Sequence, residues 1–203
     1  MTIWRIVRIS ALAFSIAMIG TMIAIYAMRS SEASRPVAQQ SESMAIGGPF
    51  ALVDQDGNNV TDRDFSDKAS VIFFGYTSCP DACPTTLLDF SNWLRDLGPD
   101  AERLNVLFIS IDPERDTPAR IKEYLSSFDP RIHGLTGTPE QIAATAKAYR
   151  VSYERVELEG GDYTMDHTAA IYLMDRSGHF VAPLSLQTED KVALERLHKL
   201  AAL

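Results

Sequence analysis

The sequence predicts an α/β fold, a sheet with helices on its faces, preceded by one transmembrane helix. Three observations predict it. Strand-like and helix-like patterns alternate along the chain, two of the strand runs are apolar on both faces, and the 20 residues from Ile9 to Met28 carry no charge. A strand without a polar face needs cover above and below it. An uncharged run of about 20 residues is long enough to cross a hydrocarbon core as a helix.

The amino-terminal run, "ISALAFSIAMIGTMIAIYAM", exceeds the apolar core of a cleavable signal, which is about 7 to 15 residues long, and is read as an uncleaved anchor. Arg5 and Arg8 precede it, while Arg29 and Arg35 follow with Glu32 between them, so the positive-inside bias is slight. With no second span, the amino terminus is expected on the cytoplasmic side and the rest of the chain is expected to be translocated. Residues 30–48, "SSEASRPVAQQSESMAIGG", have almost no large apolar groups and are expected to form a flexible tether. The expected organisation is an anchor at 1–29, a tether at 30–48 and one domain at 49–203.

Within that domain, Phe50 to Val53 and Val60 flank "DQDGNN", a hairpin with Asp56-Gly57 at its turn. "ASVIFFGY" is the first doubly buried strand. Apolar residues then fall at Leu87, Phe90, Leu94 and Leu97, one face of a helix that Gly98-Pro99 stops. "LNVLFISID" is the second buried strand, and Thr117-Pro118 opens a helix carrying Ile121, Tyr124, Leu125 and Phe128 on one side. Thr138-Pro139-Glu140-Gln141 is a capping box for a helix ending near Tyr149. "TAAIYLMD" and "HFVAPL" form a hairpin about Asp175 to Gly178, and an amphipathic helix runs from about Thr188 to the end. The first hairpin and a second one inserted around "VSYERVELEGGDYTMDH" are additions to a minimal sheet.

With 46% hydrophobic residues in 203, the chain can bury one ordinary core. Once Arg5, Arg8 and Arg29 are set aside, 16 basic residues face 27 acidic ones from Ser30 on. Nucleic acid and anionic membrane surfaces are poor partners for such a domain.

The two cysteines of the chain lie in "FFGYTSCPDACPTTLLDF", spaced C-x-x-x-C and each followed by proline. A disulfide across so short a loop is worth only about 2 kcal/mol in chain entropy, so chemistry explains the pair better than stapling. Taken alone, the motif leaves redox and metal chemistry nearly balanced. Its place between a buried strand and a helix, at the carboxyl edge of the sheet, is where α/β proteins put their sites and points to a thioredoxin-like fold. Residues four apart at a helix start lie one turn apart on one side. The helix amino terminus is expected to help both sulfurs ionise.

"FGYTSCPDACPTTL", "ISIDPERDTP" and "YTMDHTAAIYLMD" resemble, in order and spacing, the Sco/SenC family of membrane-anchored copper chaperones for cytochrome c oxidase assembly. The resemblance runs from about Phe50 to the carboxyl end. It implies one copper ion, Cu(I) or Cu(II), held by Cys79, Cys83 and His167 and delivered to the binuclear copper site of oxidase subunit two. It also implies an upstream copper donor or thiol reductant, and a single-pass protein of a bacterial inner membrane with its domain in the periplasm. Thiolates suit Cu(I), and an added imidazole suits Cu(II). His167 follows Cys83 by 84 residues and stands where a dithiol oxidoreductase normally has proline.

Other residues carry ordinary readings. Asp112 is expected to bond turn amides ahead of Pro113, and Asp81 and Asp166 to serve as turn or cap residues; a role for all three in orienting ligands is the weaker expectation. Met165 is left to packing. His133, His179 and His198 are expected to be structural or surface residues. No catalytic residue is assigned. The rival functions are a thiol-disulfide oxidoreductase using Cys79 and Cys83, a thiol peroxidase for which Thr77 is present but no arginine is evident, and a copper or redox sensor.

Overall fold

The structure, a computed structural model, describes residues 18–22, 26 and 46–203. The chain divides into two units, Met1–Met44 and Ala45–Leu203. In the first, residues 18–22 and 26 are helical. The rest of the expected anchor, and the expected tether through residue 45, lie outside the described residues. Among the described residues no helix is long and apolar enough to cross a membrane.

The second unit contains nine strands among its described residues: β1 (Ala51–Asp54), β2 (Asn59–Thr61), β3 (Ala69–Gly75), β4 (Leu104–Ser110), β5 (Ile132–Thr136), β6 (Tyr153–Glu157), β7 (Tyr163–His167), β8 (Ala170–Met174) and β9 (Phe180–Ser185). Its helices are α1 (Ala82–Asp96), α2 (Pro118–Leu125), α3 (Pro139–Ala148) and α4 (Asp190–Ala201). The main sheet has the order β2-β1-β5-β4-β3-β8-β9, and β6 with β7 forms a separate hairpin. Strands β3, β4 and β5 run parallel, with β1, β8 and β9 antiparallel to their neighbours. Every residue of β3 and β4 is buried, as two apolar runs flanked by strands and covered on both faces must be.

The helices follow their apolar periodicity. α1 buries Leu87, Phe90 and Leu94 as expected, and Trp93 besides, whose indole N–H donates to Asp190 Oδ1 at the start of α4 (2.8 Å). The Thr138–Gln141 capping box opens α3. α2 stops at Leu125, before the expected Phe128: the Ser127 and Phe128 N–H groups bond back only three residues, to the Tyr124 and Leu125 carbonyls. Phe128 still packs on Tyr124 from the following turn, with ring centroids 5.5 Å apart. Gly134 sets how closely α2 lies on β5: a Cβ there would stand 2.2 Å from Ile121 Cγ2 and 2.7 Å from Leu125 Cδ1. The expected hairpin turns form at Gly57 and Gly178, both in the left-handed region.

Candidate metal centre

Three segments meet at the carboxyl ends of β3 and β4: the loop 76–81 ahead of α1, the turn 111–117 ahead of α2, and the β6–β7 hairpin. Cys79 is half-buried in the first loop, and Cys83 is fully buried as the second residue of α1; neither is in a disulfide. The backbone N–H of Cys83 donates to Cys79 Sγ at 3.4 Å. Gly75 makes room for the deeper sulfur, since a Cβ there would lie 2.8 Å from Cys83 Sγ and 2.9 Å from the Phe108 ring.

The two sulfurs differ sharply. The Cys83 thiol donates to Cys79 and holds the Cys79 pKa down at about 5 against the opposing effect of burial, with help from the Cys83 and Asp81 backbone N–H groups and the nearby His167. Donating that proton to Cys79, and being buried, push the Cys83 thiol well up. The expectation that the helix terminus ionises both sulfurs is therefore corrected: the metal-free pair holds one negative charge and one shared proton. In metal-free reduced protein, iodoacetamide is expected to label Cys79 and spare Cys83. Cys79 labelling should fall steeply only below about pH 5, whereas an ordinary thiol loses reactivity already below about pH 8; peptide mapping by mass spectrometry across pH checks this. Because the Cys79 pKa is depressed on folding, its stabilising contribution is full above the unfolded thiol value and is lost as pH falls towards 5.

His167 ends β7, paired with Tyr153. Its Nδ1 lies 3.0 Å from Thr168 O. A carbonyl can only accept, so Nδ1 carries the proton and Nε2 keeps a free lone pair. The ring stands edge-on to Phe73 (6.5 Å) and Tyr76 (6.1 Å). Among the described residues no three His, Cys, Asp or Glu side chains form a ready metal cage. The structure thus joins Cys79 to Cys83 and brings His167 within electrostatic reach of Cys79, as two halves on separate elements.

A latch ties the histidine arm to the domain. Tyr76, three residues before Cys79, shares a hydrogen bond with Thr164 (2.8 Å) on β7. Tyr163 is sandwiched between the Arg115 and Arg155 guanidiniums, 3.6 and 3.7 Å from its ring centroid. Its hydroxyl donates to Asp112 Oδ1 (2.8 Å), and Arg115 donates to Asp112 Oδ2 and to the Tyr163 carbonyl (2.9 Å). The Asp112 carboxylate therefore does not bond turn amides; its main-chain carbonyl receives those of Arg115 and Asp116. Tyr163→Phe is expected to weaken this latch by about 1–2 kcal/mol. Faster amide exchange confined to 153–167 is the measurement that checks it.

The SCO1/SenC family model matches residues 38–202. The chain belongs to the SCO1/SenC family. ScoI of Bradyrhizobium japonicum, solved with copper bound, is 54% identical with a TM-score of 0.73, covering 77% of this chain and 99% of that one. Yeast Sco1 with copper bound is 40% identical with a TM-score of 0.71, covering 76% and 87%. A SCO2-like protein of Rickettsia felis is 35% identical over 185 residues, 88% of this chain and 89% of that protein. The chain spans about half the length of the yeast and Arabidopsis thaliana relatives it matches.

In this SCO1/SenC chain the remaining expected residues lie further out. Asp81 is the exposed residue ahead of α1, and its side chain makes no capping bond. Asp166 is exposed opposite Glu154 and alternates with His167 along β7, so the two side chains leave opposite faces. Met165 lines a groove with Pro139, Tyr153 and Arg155, apart from the cysteines. His133 lies half-buried in β5 against Phe65, while His179 and His198 are exposed beside Asp175 and Asp100.

Sequence reading missed Asp116. Completely buried, it accepts from the Thr77 N–H (2.9 Å), the Thr77 hydroxyl and the Ser110 hydroxyl (2.6 Å), pinning the cysteine loop to β4. Its position before Thr117-Pro118 resembles any cap-adjacent carboxylate, so only packing identifies it. Arg120, also missed, donates to Thr77 Oγ1 (2.8 Å) and Ser78 Oγ (3.0 Å). That supplies the arginine a peroxidase would need, but the single Thr77 proton already goes to Asp116 and is not free for peroxide.

Proposed function

We propose that this chain is a copper metallochaperone that takes one copper ion as cargo on Cys79, Cys83 and His167. It passes the ion by ligand exchange to the binuclear copper site of cytochrome c oxidase subunit two. The observation that carries this reading is the pairing of two unbridged sulfurs with an imidazole whose Nε2 is free, held nearby by Tyr76 and the Tyr163 latch. Soft thiolates with one imidazole suit copper in either oxidation state. The Cys79 thiolate supplies the first ligand, copper displaces the Cys83 proton to solvent, and the hairpin brings His167 to complete the set. An incomplete cage favours release to an acceptor.

In this reading residues 1–29 anchor the protein in a bacterial inner membrane, 30–48 tether it, and the domain at 49–203 works in the periplasm with an upstream copper donor or thiol reductant. Anaerobic titration of the reduced full-length protein with Cu(I) and Cu(II), followed by incubation with the metal-free subunit-two acceptor domain, tests it. One copper bound per chain and loss of that copper to the acceptor are expected. Failure to bind, or binding without transfer, overturns the reading.

The asymmetry of the sulfurs favours a second reading, a thiol-disulfide oxidoreductase in which Cys79 attacks and buried Cys83 resolves. His167 separates the two. Robust turnover on a disulfide partner that survives His167→Ala assigns the oxidoreductase; weak turnover alongside tight copper binding assigns the chaperone.

A further inference from the structure

Among the described residues β6 and β7 pair only with each other, so no backbone ladder of the main sheet fixes where their hairpin lies. Side chains must fix it, and His167 stands at its end. The bond from His167 Nδ1 to Thr168 O is made to the next residue in the chain. It turns the ring relative to its own backbone and does not set its distance from the cysteines.

Tyr76 reaches both halves of the site. It follows β3 directly and is only 2% exposed. On the loop side its main-chain carbonyl receives the Cys79 N–H (3.3 Å). On the hairpin side its hydroxyl meets Thr164 Oγ1 at 2.8 Å, three residues before His167 on the same strand. Its ring stands at 85° to the His167 ring with centroids 6.1 Å apart, the edge contact that aromatic rings favour. Phe73, fully buried in β3, closes a second side at 6.5 Å and 60°. The imidazole is thus lodged in an aromatic corner whose Tyr76 wall is bonded to the strand that carries the histidine.

A side chain already held loses less rotamer freedom when it becomes a ligand. The benefit goes to the ion that needs it: two thiolates suit Cu(I), whereas Cu(II) calls for the imidazole as well. We propose that Tyr76 is a positioning residue that sets how strongly the site favours Cu(II) relative to Cu(I), by holding His167 at a fixed spacing from the cysteine loop. The inference rests on the copper reading above and adds a residue outside the ligand set. Changing the Tyr76 side chain leaves its main-chain bond to Cys79 in place, so the ring and hydroxyl can be tested apart from the loop.

Tyr76→Leu and Tyr76→Phe in the full-length protein test this against wild type. Competition with chelators of known affinity gives the Cu(I) and Cu(II) dissociation constants. In Tyr76→Leu the Cu(II) constant should rise about ten- to a hundredfold, as on loss of an outer partner of a ligand, with a changed Cu(II) spectrum and a smaller rise for Cu(I). Tyr76→Phe keeps the ring and loses the bond to Thr164, so the ratio of the two constants should shift in the same direction by about two- to tenfold. In metal-free protein carrying isotope-labelled histidine, the His167 ring signal should move in Tyr76→Leu while those of His133, His179 and His198 stay. Equal weakening of both ions in Tyr76→Leu, or no weakening of either, overturns the proposal and leaves Tyr76 a packing residue. Where that variant does not fold, an unchanged ratio in Tyr76→Phe overturns it. If the wild-type protein takes up no copper, it is the copper reading itself that fails, and the inference goes with it.

Discussion

Cys83→Ser is expected to remove copper binding. Its sulfur is a soft donor fully buried at the base of the site, and a serine hydroxyl neither ionises at neutral pH nor suits Cu(I). Removing an outer partner of a ligand typically costs 10- to 100-fold in affinity, so losing a ligand should cost more than about 100-fold. Competition with a chelator of known affinity reads it. His167→Ala should act differently on the two oxidation states. The remaining thiolates still suit Cu(I), so that affinity falls modestly, whereas Cu(II) loses its imidazole and its spectrum changes. A His167→Ala protein with wild-type affinity for both ions and an unaltered Cu(II) spectrum would remove His167 from the site.

Asp116→Ala is expected to be the most destabilising single change in the cysteine loop. The carboxylate has no exposure to solvent and receives one backbone N–H and two hydroxyls. Truncation leaves all three donors without their acceptor, the Ser110 hydroxyl buried and the Thr77 pair half-buried, at a cost of about 3–5 kcal/mol. For a domain of this size that lowers the melting temperature by roughly 6–20 °C. Asp116→Asn keeps the volume but brings an amide that must donate where only donors now point, so it should recover little. Calorimetry checks the stability, and iodoacetamide labelling checks the loop, because Cys83 should lose its protection as the Thr77 segment comes free. Wild-type melting in both variants would remove Asp116 from its place as the pin of this loop.

Much of the frame was legible in the chain because it depends on repeating local rules. A doubly buried strand has no polar position to spare, so "ASVIFFG" and "LNVLFIS" announce the centre of the sheet. Leu87, Phe90 and Leu94 announce the inner face of α1, and a Thr-Pro-Glu-Gln run announces the start of α3. The end of α2 was misjudged because apolar spacing carries on to Phe128, while the backbone there has already tightened into three-residue turns. Asp112 was misjudged, and Asp116 missed, for another reason. Four residues apart in one turn, they look alike in sequence. Yet one holds the hairpin through Tyr163 and the other holds the cysteine loop through Thr77, and those partners are distant in the chain.

The sequence by itself determined an α/β domain, the strand-to-helix place of Cys79 and Cys83, and His167 as the residue that a copper-binding family would set opposite them. The first two follow from periodicity and turn chemistry, which are properties of neighbours along the chain, and the third from the resemblance of three ordered motifs to that family. Only the tertiary structure decided the division of labour between the sulfurs. Burial at Gly75 and donation to Cys79 leave Cys83 protonated, while the same donation leaves Cys79 charged. It alone also decided that Asp116 pins the cysteine loop and Tyr163 holds the hairpin. Desolvation and hydrogen bonding depend on which atoms close around a group, and those atoms come from elements up to 88 residues apart.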